Sequence, residues 1–159
     1  MKILSLLMLL LLAVAPVQQS NVKPELGTKL GKSEVKKSDD LTLTHPAQLR
    51  PSIERTIGGV VYLLAYDPKN REVRYIFTDD KEFRAAGGAK VGDIIELTRE
   101  EIIAYPGWEI HAAETSDGWH PLIGFDDKIA RPDDAVDFKG LKEGEKLRAK
   151  ILGFVKGGN

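Results

Sequence analysis

Apolar residues change their spacing repeatedly along this 159-residue chain, and each change predicts a different element. From Ile57 to Tyr66 the run IGGVVYLLAY is apolar on both parities, as in a strand buried on both faces. DPKN follows, with Asp67 first and Pro68 second, the chemistry of a type I turn. In the next run, EVRYIFT, Val73, Tyr75 and Phe77 alternate with Glu72, Arg74 and Thr78, the period of a half-buried strand. The two runs predict a β-hairpin.

AAGGAK breaks the pattern before VGDIIEL, a third strand. Its end runs into LTREEIIAY, where Thr98 and Glu101 have the T-x-x-E spacing of a capping box. This predicts a short α-helix of about two turns, stopped by Pro106 and Gly107 and dependent on tertiary packing. In the stretch YPGWEIHAAETSDGWHPLIGF, residues 105–125, TSDG at 115–118 is turn composition between two runs of strand length. Alternation puts Trp108, Ile110 and Ala112 on one face and Trp119, Ile123 and Phe125 on the matching face of the returning strand. With TSDG as the loop, Ile110 opposes Ile123, Phe125 opposes Trp108, His111 opposes Leu122 and His120 opposes Ala113. The two imidazoles are then diagonal neighbours, with Cβ atoms about 7 Å apart. A two-residue Asp-Gly turn keeps the faces, shifts the register and separates the histidines.

DDKIARPDDAVDFKG reads as a polar surface connection anchored by Phe138. The last run, EKLRAKILGFV, sets Leu147, Ala149, Ile151 and Val155 against Arg148 and Lys150 and predicts a closing strand. Ahead of the third and the closing strands stand G-A-K-V-G-D at 88–93 and G-L-K-E-G-E at 140–145, two Gly-centred turns of one type. The fold class is therefore mainly β: a single antiparallel small barrel or strongly coiled sheet with one short α-helix, the alternative being an open α+β arrangement.

Ahead of this β-rich domain, residues 46–159, the sequence is of two other kinds. Residues 21–45 are rich in Lys, Ser, Gly and Asp with no sustained apolar period, a flexible polar leader within which LTLT could pair as a strand. Residues 1–20 combine Lys2, an apolar run from Ile3 to Val17 and a polar end, the layout of a signal peptide. That run is shorter than the roughly 20 residues a spanning helix needs, so no stable membrane insertion is expected after its removal. Ala13 and Ala15 form a small-x-small pattern, but Pro16 would follow the cut, which favours processing near Ser20.

The net charge of −1 gives no basic field for nucleic acid. The absence of Cys excludes disulfides, thiolate metal sites and Cys nucleophiles, and Met occurs only at positions 1 and 8. Ser52 and Ser116 lack a nucleophile-elbow motif. Of the acidic clusters, Asp133, Asp134 and Asp137 come nearest to a Ca²⁺ loop, without its D-x-D-x-D-G spacing. No catalytic residue, metal or cofactor is assigned.

The candidate ligand or partner surface is Tyr105, Trp108, His111, Trp119 and His120. The favoured reading is an exported, periplasmic or secreted, non-catalytic binding module that engages a protein or envelope component through its sheet edge or a hairpin face. One alternative is a small-molecule or carbohydrate binder with Tyr105, Trp108 and Trp119 as an aromatic platform. Another is a small hydrolase using His111, His120 and a carboxylate from residues 126–137. No oligomeric state follows from these patterns.

The segments IGGVVYLLAYDPKNREVRYI and GLKEGEKLRAKI resemble the opening hairpin and closing strand of small exported OB-like β-barrel modules of the periplasmic copper-chaperone type. The resemblance implies a barrel-like architecture. The Met ligands of that family have no counterpart here, so it implies no copper handling.

Overall fold

The computed structural model describes residues 22–35, 39–42, 48–104, 110–125, 128–129 and 142–157. Its strands are β1 (Asp39–Thr42), β2 (Gln48–Ile57), β3 (Val60–Tyr66), β4 (Val73–Thr78), β5 (Ile94–Leu97), β6 (Ile102–Ala104), β7 (Ile110–Ala112), β8 (His120–Phe125), β9 (Lys128–Ile129) and β10 (Leu147–Gly157). They form one antiparallel sheet in the order β1-β2-β3-β4-β10-β8-β7-β6, with β5 added to β10 and β9 to β8. The end strands β1 and β6 do not pair, so the sheet is open and the fold is mainly β without barrel closure.

β10 is the central strand. One of its edges carries β5 on residues 147–150 and β4 on residues 154–157, while the other carries β8. The ladder to β8 slips between Ile151 and Gly153, a bulge that bends the strand. Glycine is required at 153 because a Cβ there would lie 2.9 Å from the Phe77 ring and 3.0 Å from the Thr78 carbonyl oxygen.

Both faces of the sheet are covered where β3, β4 and β10 lie side by side. The main core gathers Leu30, Tyr62, Leu64, Tyr66, Ile76, Phe83, Trp119, Ile151 and Phe154, while Ala65, Tyr75 and Val155 pack with Phe77 as a separate cluster. Each fully buried side chain of this size contributes about 1.5–3 kcal/mol, which is why a sheet of this length needs no staples.

The expected hairpin forms, with Leu64 opposite Ile76 and Ala65 opposite Tyr75. Two details differ from the sequence pattern. The run from Ile57 to Tyr66 is not one strand: Gly58 and Gly59, at φ 59° and 85°, make a tight turn between β2 and β3. In β4, Ile76 and Thr78 are buried along with Val73 and Tyr75, so the strand is covered on both sides. The side chains of Thr78, the last residue of β4, and Asp80 add to the ladder at its end. The Thr78 hydroxyl donates to Val61 O at 2.7 Å, and Asp80 Oδ2 accepts from the Val61 N–H at 2.8 Å.

The expected two-turn α-helix is absent. Glu101 accepts the Thr98 N–H at 2.8 Å, so the reach-back half of the capping box forms, but it closes only one 3₁₀ turn, Arg99–Glu101. Ile102 and Ile103 then enter β6, where β-branched side chains pack well and the chain gains the ladder to β7. Among the described residues, all helical turns are of this short 3₁₀ type.

Part of the stretch read as a polar leader is built into the domain. The LTLT segment contributes to β1, which pairs with β2, and residues 27–30 lie along the start of β4. Leu30 is 2% exposed. The apolar segment at 3–17 lies outside the described residues. Among those described, no helix is long and apolar enough to cross a membrane.

Candidate functional site

The hairpin of β7 and β8 adopts the register of the longer loop. Ile110 opposes Ile123 and His111 opposes Leu122. At the tip, Thr115 N donates to Trp119 O at 2.8 Å and Gly118 N to Thr115 O at 2.9 Å, with Gly118 at φ 80°. Ser116, Asp117 and Gly118 thus form a type I turn closed by a left-handed glycine. The Thr115 hydroxyl clamps it, accepting the Trp119 N–H and lying 2.8 Å from Trp119 O.

Trp119 emerges from that clamp into the main core, with no exposed surface. Its ring centroid is 4.7 Å from Phe83 and 6.1 Å from Tyr62, and Phe83 in turn stands 4.8 Å from Phe154. The indole N–H has no acceptor among the described residues. An indole in this position cannot stack against a ligand from solvent, so the aromatic platform loses one of its three members.

Of the remaining candidates, His111 and His120 lie on the neighbouring strands β7 and β8. Tyr105 and Trp108 lie outside the described residues, as do the carboxylates at 126–127 and 133–137. His111 occupies the middle of β7. His120 begins β8 opposite Val155, its side chain 23% exposed and its Nε2 3.9 Å from Glu114 Oε2. Ser52 is buried in β2. Among the described residues, no three His, Asp or Glu side chains converge as a metal site would require.

What the structure does bring together is a polar hub around Asp117. Its carboxylate accepts from Lys23 Nζ at 2.6 Å, Thr115 Oγ1 at 2.8 Å and Ala86 N at 3.1 Å, and its carbonyl accepts from Lys156 Nζ at 2.9 Å. Burial alone would raise the Asp117 pKa, but the hydrogen bonds from Lys23, Thr115 and Ala86, with the Lys23 charge, hold it below the ordinary value. Both lysines also lie over aromatic faces, Lys23 Nζ 4.8 Å from the Phe83 centroid and Lys156 Nζ 5.8 Å from that of Trp119.

Beside this hub, Lys23, Gly58, Gly59, Tyr62, Phe83 and Arg84 help line a surface cleft of about 100 Å³. That is small against the roughly 300–1,000 Å³ of pockets that enclose organic ligands. Burial and the neighbouring Asp80 charge push the Tyr62 hydroxyl up to about 12, so it stays protonated as a donor.

The second feature is the outer edge of the sheet. β2 pairs with β1 only through residues 48–51, and residues 52–57 have β3 as their one strand partner among the described residues. Glu54 and Thr56 on this run are exposed. The sequence pattern missed β2, although a Gly-Gly pair between two runs of strand length marked its turn. The Lys23–Asp117 contact carries no local signal, because the two residues are 94 positions apart.

The chain matches no protein-family model, no curated protein and no solved structure.

Proposed function

We propose that this protein is an exported, non-catalytic binding module, and that an extended segment of a protein or envelope component adds to its sheet along residues 54–57 of β2. The observation that carries this reading is the edge itself: residues 54–57, with Glu54 and Thr56 exposed, have β3 as their one strand partner among the described residues. Such an edge supplies affinity through main-chain hydrogen bonds and selectivity through alternate side chains. Here the exposed Glu54 and Thr56, two positions apart and so on one face of the strand, give the selecting side chains a carboxylate and a hydroxyl. Export rests on the charged, apolar and polar order of residues 1–20.

The test places a photo-crosslinking residue at Thr56 or, as a control, at Lys69 in the exposed turn between β3 and β4, in cells producing the protein. Adducts at Thr56 and not at Lys69, together with recovered protein whose N-terminus begins near residue 21, are the expected result. Equal adduct yield at both positions would remove the edge from the reading, and an intact N-terminus would remove export.

A further inference from the structure

The start of β4 is an edge that β10 leaves open. β10 ends at Gly157, opposite Tyr75, and the next stretch of β4 is covered by residues 27–30 instead. Gly27 N donates to Val73 O at 2.8 Å, Val73 N to Thr28 O at 2.9 Å and Leu30 N to Arg71 O at 2.9 Å. Leu30 fills a hole in the main core, and Leu26 sits so close to Gly157 that a Cβ there would approach its methyl carbon to 2.8 Å. One end of the segment is tied by Lys23 to Asp117, the other by an ion pair between Glu34 and Arg55.

The division of parts is uneven. The groove with its main-chain partners, the apolar hole, the Phe83 face and the Asp117 carboxylate all belong to the body of the domain. Residues 22–35 supply a single bridge pair, Lys29 with Glu72, one buried side chain, Leu30, and the half-buried Val35 against the same core, while Val22 and Leu26 are 56% and 41% exposed. A segment held by so few buried contacts opens locally without unfolding the sheet.

We propose that residues 22–35 are a displaceable strap, the chain's own occupant of a strand-accepting groove, and that an extended segment of a partner polypeptide takes their place. The groove fixes the partner's chemistry: an apolar side chain to fill the Leu30 hole, main-chain groups free to pair with Arg71 and Val73, and a cation seven positions earlier to reach Asp117. This site meets the β2 edge at the Glu34–Arg55 ion pair, and the peptide assay reads the groove while the Thr56 crosslink reads the edge.

The absence of Cys allows the strap to be locked. Lys29 and Glu72 face each other as a wide, non-hydrogen-bonded pair, whose Cα separation of about 4.5 Å suits a disulfide. The probe is a fluorescent peptide of residues 22–35, followed by anisotropy. It is expected to bind a Leu30→Ala chain at least about ten-fold more tightly than the wild type, because the competing strap is weakened. A Leu30→Asp peptide should not bind, and binding to a Lys29→Cys/Glu72→Cys chain should appear only on reduction.

Equal affinity of the Leu30→Ala and wild-type chains would overturn the proposal, as would binding to the oxidised, locked chain. Should Leu30→Ala not fold, hydrogen exchange of the wild type decides. Amides of Gly27, Leu30 and Val73 are expected to exchange about 100-fold faster than those of Leu64 and Ile76, and exchange together with them would overturn it. Reciprocal strap exchange between two copies, seen as a dimer dissociated by the peptide, would assign the groove to a second copy and overturn a foreign partner.

Discussion

Lys23 Nζ lies 2.6 Å from Asp117 Oδ2 and 4.8 Å from the Phe83 ring centre, so one cation joins the N-terminal strap to the tip of the β7–β8 hairpin. The two ends of this contact are not equivalent. Asp117 also accepts from Thr115 and Ala86, so its loss strands donors on two separate loops. Asp117→Ala is expected to cost about 1–3 kcal/mol, and Lys23→Ala about 0.2–1 kcal/mol, as for an ion pair still in contact with solvent. Urea denaturation of both variants checks the order, and a Lys23→Ala cost equal to that of Asp117→Ala would contradict it.

Titration should erode stability at both ends of the pH scale. Asp80, held low by the N–H groups of Glu82 and Val61, and Asp117 both have folded pKa values below the ordinary 3.8. Their contribution is complete above about pH 4 and is lost as pH falls through the lower folded values. Tyr62 runs the other way, since its proton is held up to about pH 12 when folded and only to 10.0 otherwise. The unfolded chain therefore loses that proton first, and stability declines as pH rises from about 10 to 12. Melting curves across pH, repeated on Asp117→Asn and Tyr62→Phe, should show the acid slope and the alkaline slope reduced in turn.

Two glycines separate collision from backbone strain. At Gly153 a methyl group meets backbone oxygen and the Phe77 ring, so Gly153→Ala is expected to cost about 1–3 kcal/mol by overpacking. At Gly144, φ is 78° with nothing within 4 Å, so Gly144→Ala carries only the left-handed penalty of about 1 kcal/mol. Thermal denaturation should rank them in that order.

Trp119 is expected to emit as a buried indole. In a Trp108→Phe chain, where Trp119 is the only tryptophan, emission should be blue-shifted and resist acrylamide. Trp119→Ala should cost about 3–5 kcal/mol. Trp119→Phe should cost less, because it also removes a buried N–H that has no acceptor among the described residues. A red-shifted, readily quenched spectrum would return Trp119 to the surface and revive the aromatic platform.

The echo of G-x-K-x-G-acid before two strands was legible and has a physical basis. Asp93 Oδ2 accepts the Lys90 N–H and Glu145 Oε2 the Lys142 N–H, both at 3.0 Å, while Gly92 and Gly144 take left-handed φ. The strands that follow, β5 and β10, pair with each other. The capping box was equally legible as chemistry, since Glu101 reaches back as its spacing predicts, but the element it opens was not. One hydrogen bond closes a turn, and whether a helix continues is decided by what Ile102 and Ile103 can pack against.

By itself the sequence determined several local terms: the β3–β4 hairpin with its Asp-Pro turn, the β7–β8 hairpin with its TSDG tip, the closing strand and the inward face of Trp119. These follow from side-chain alternation and backbone sterics over a few residues. Only the tertiary structure decided that β10 runs through the middle of the sheet, that residues 54–57 of β2 have β3 as their one strand partner among the described residues, and that Leu30 belongs to the core. Those outcomes depend on which distant edge accepts an unpaired backbone and which apolar hole remains to be filled. No property of a single segment encodes either.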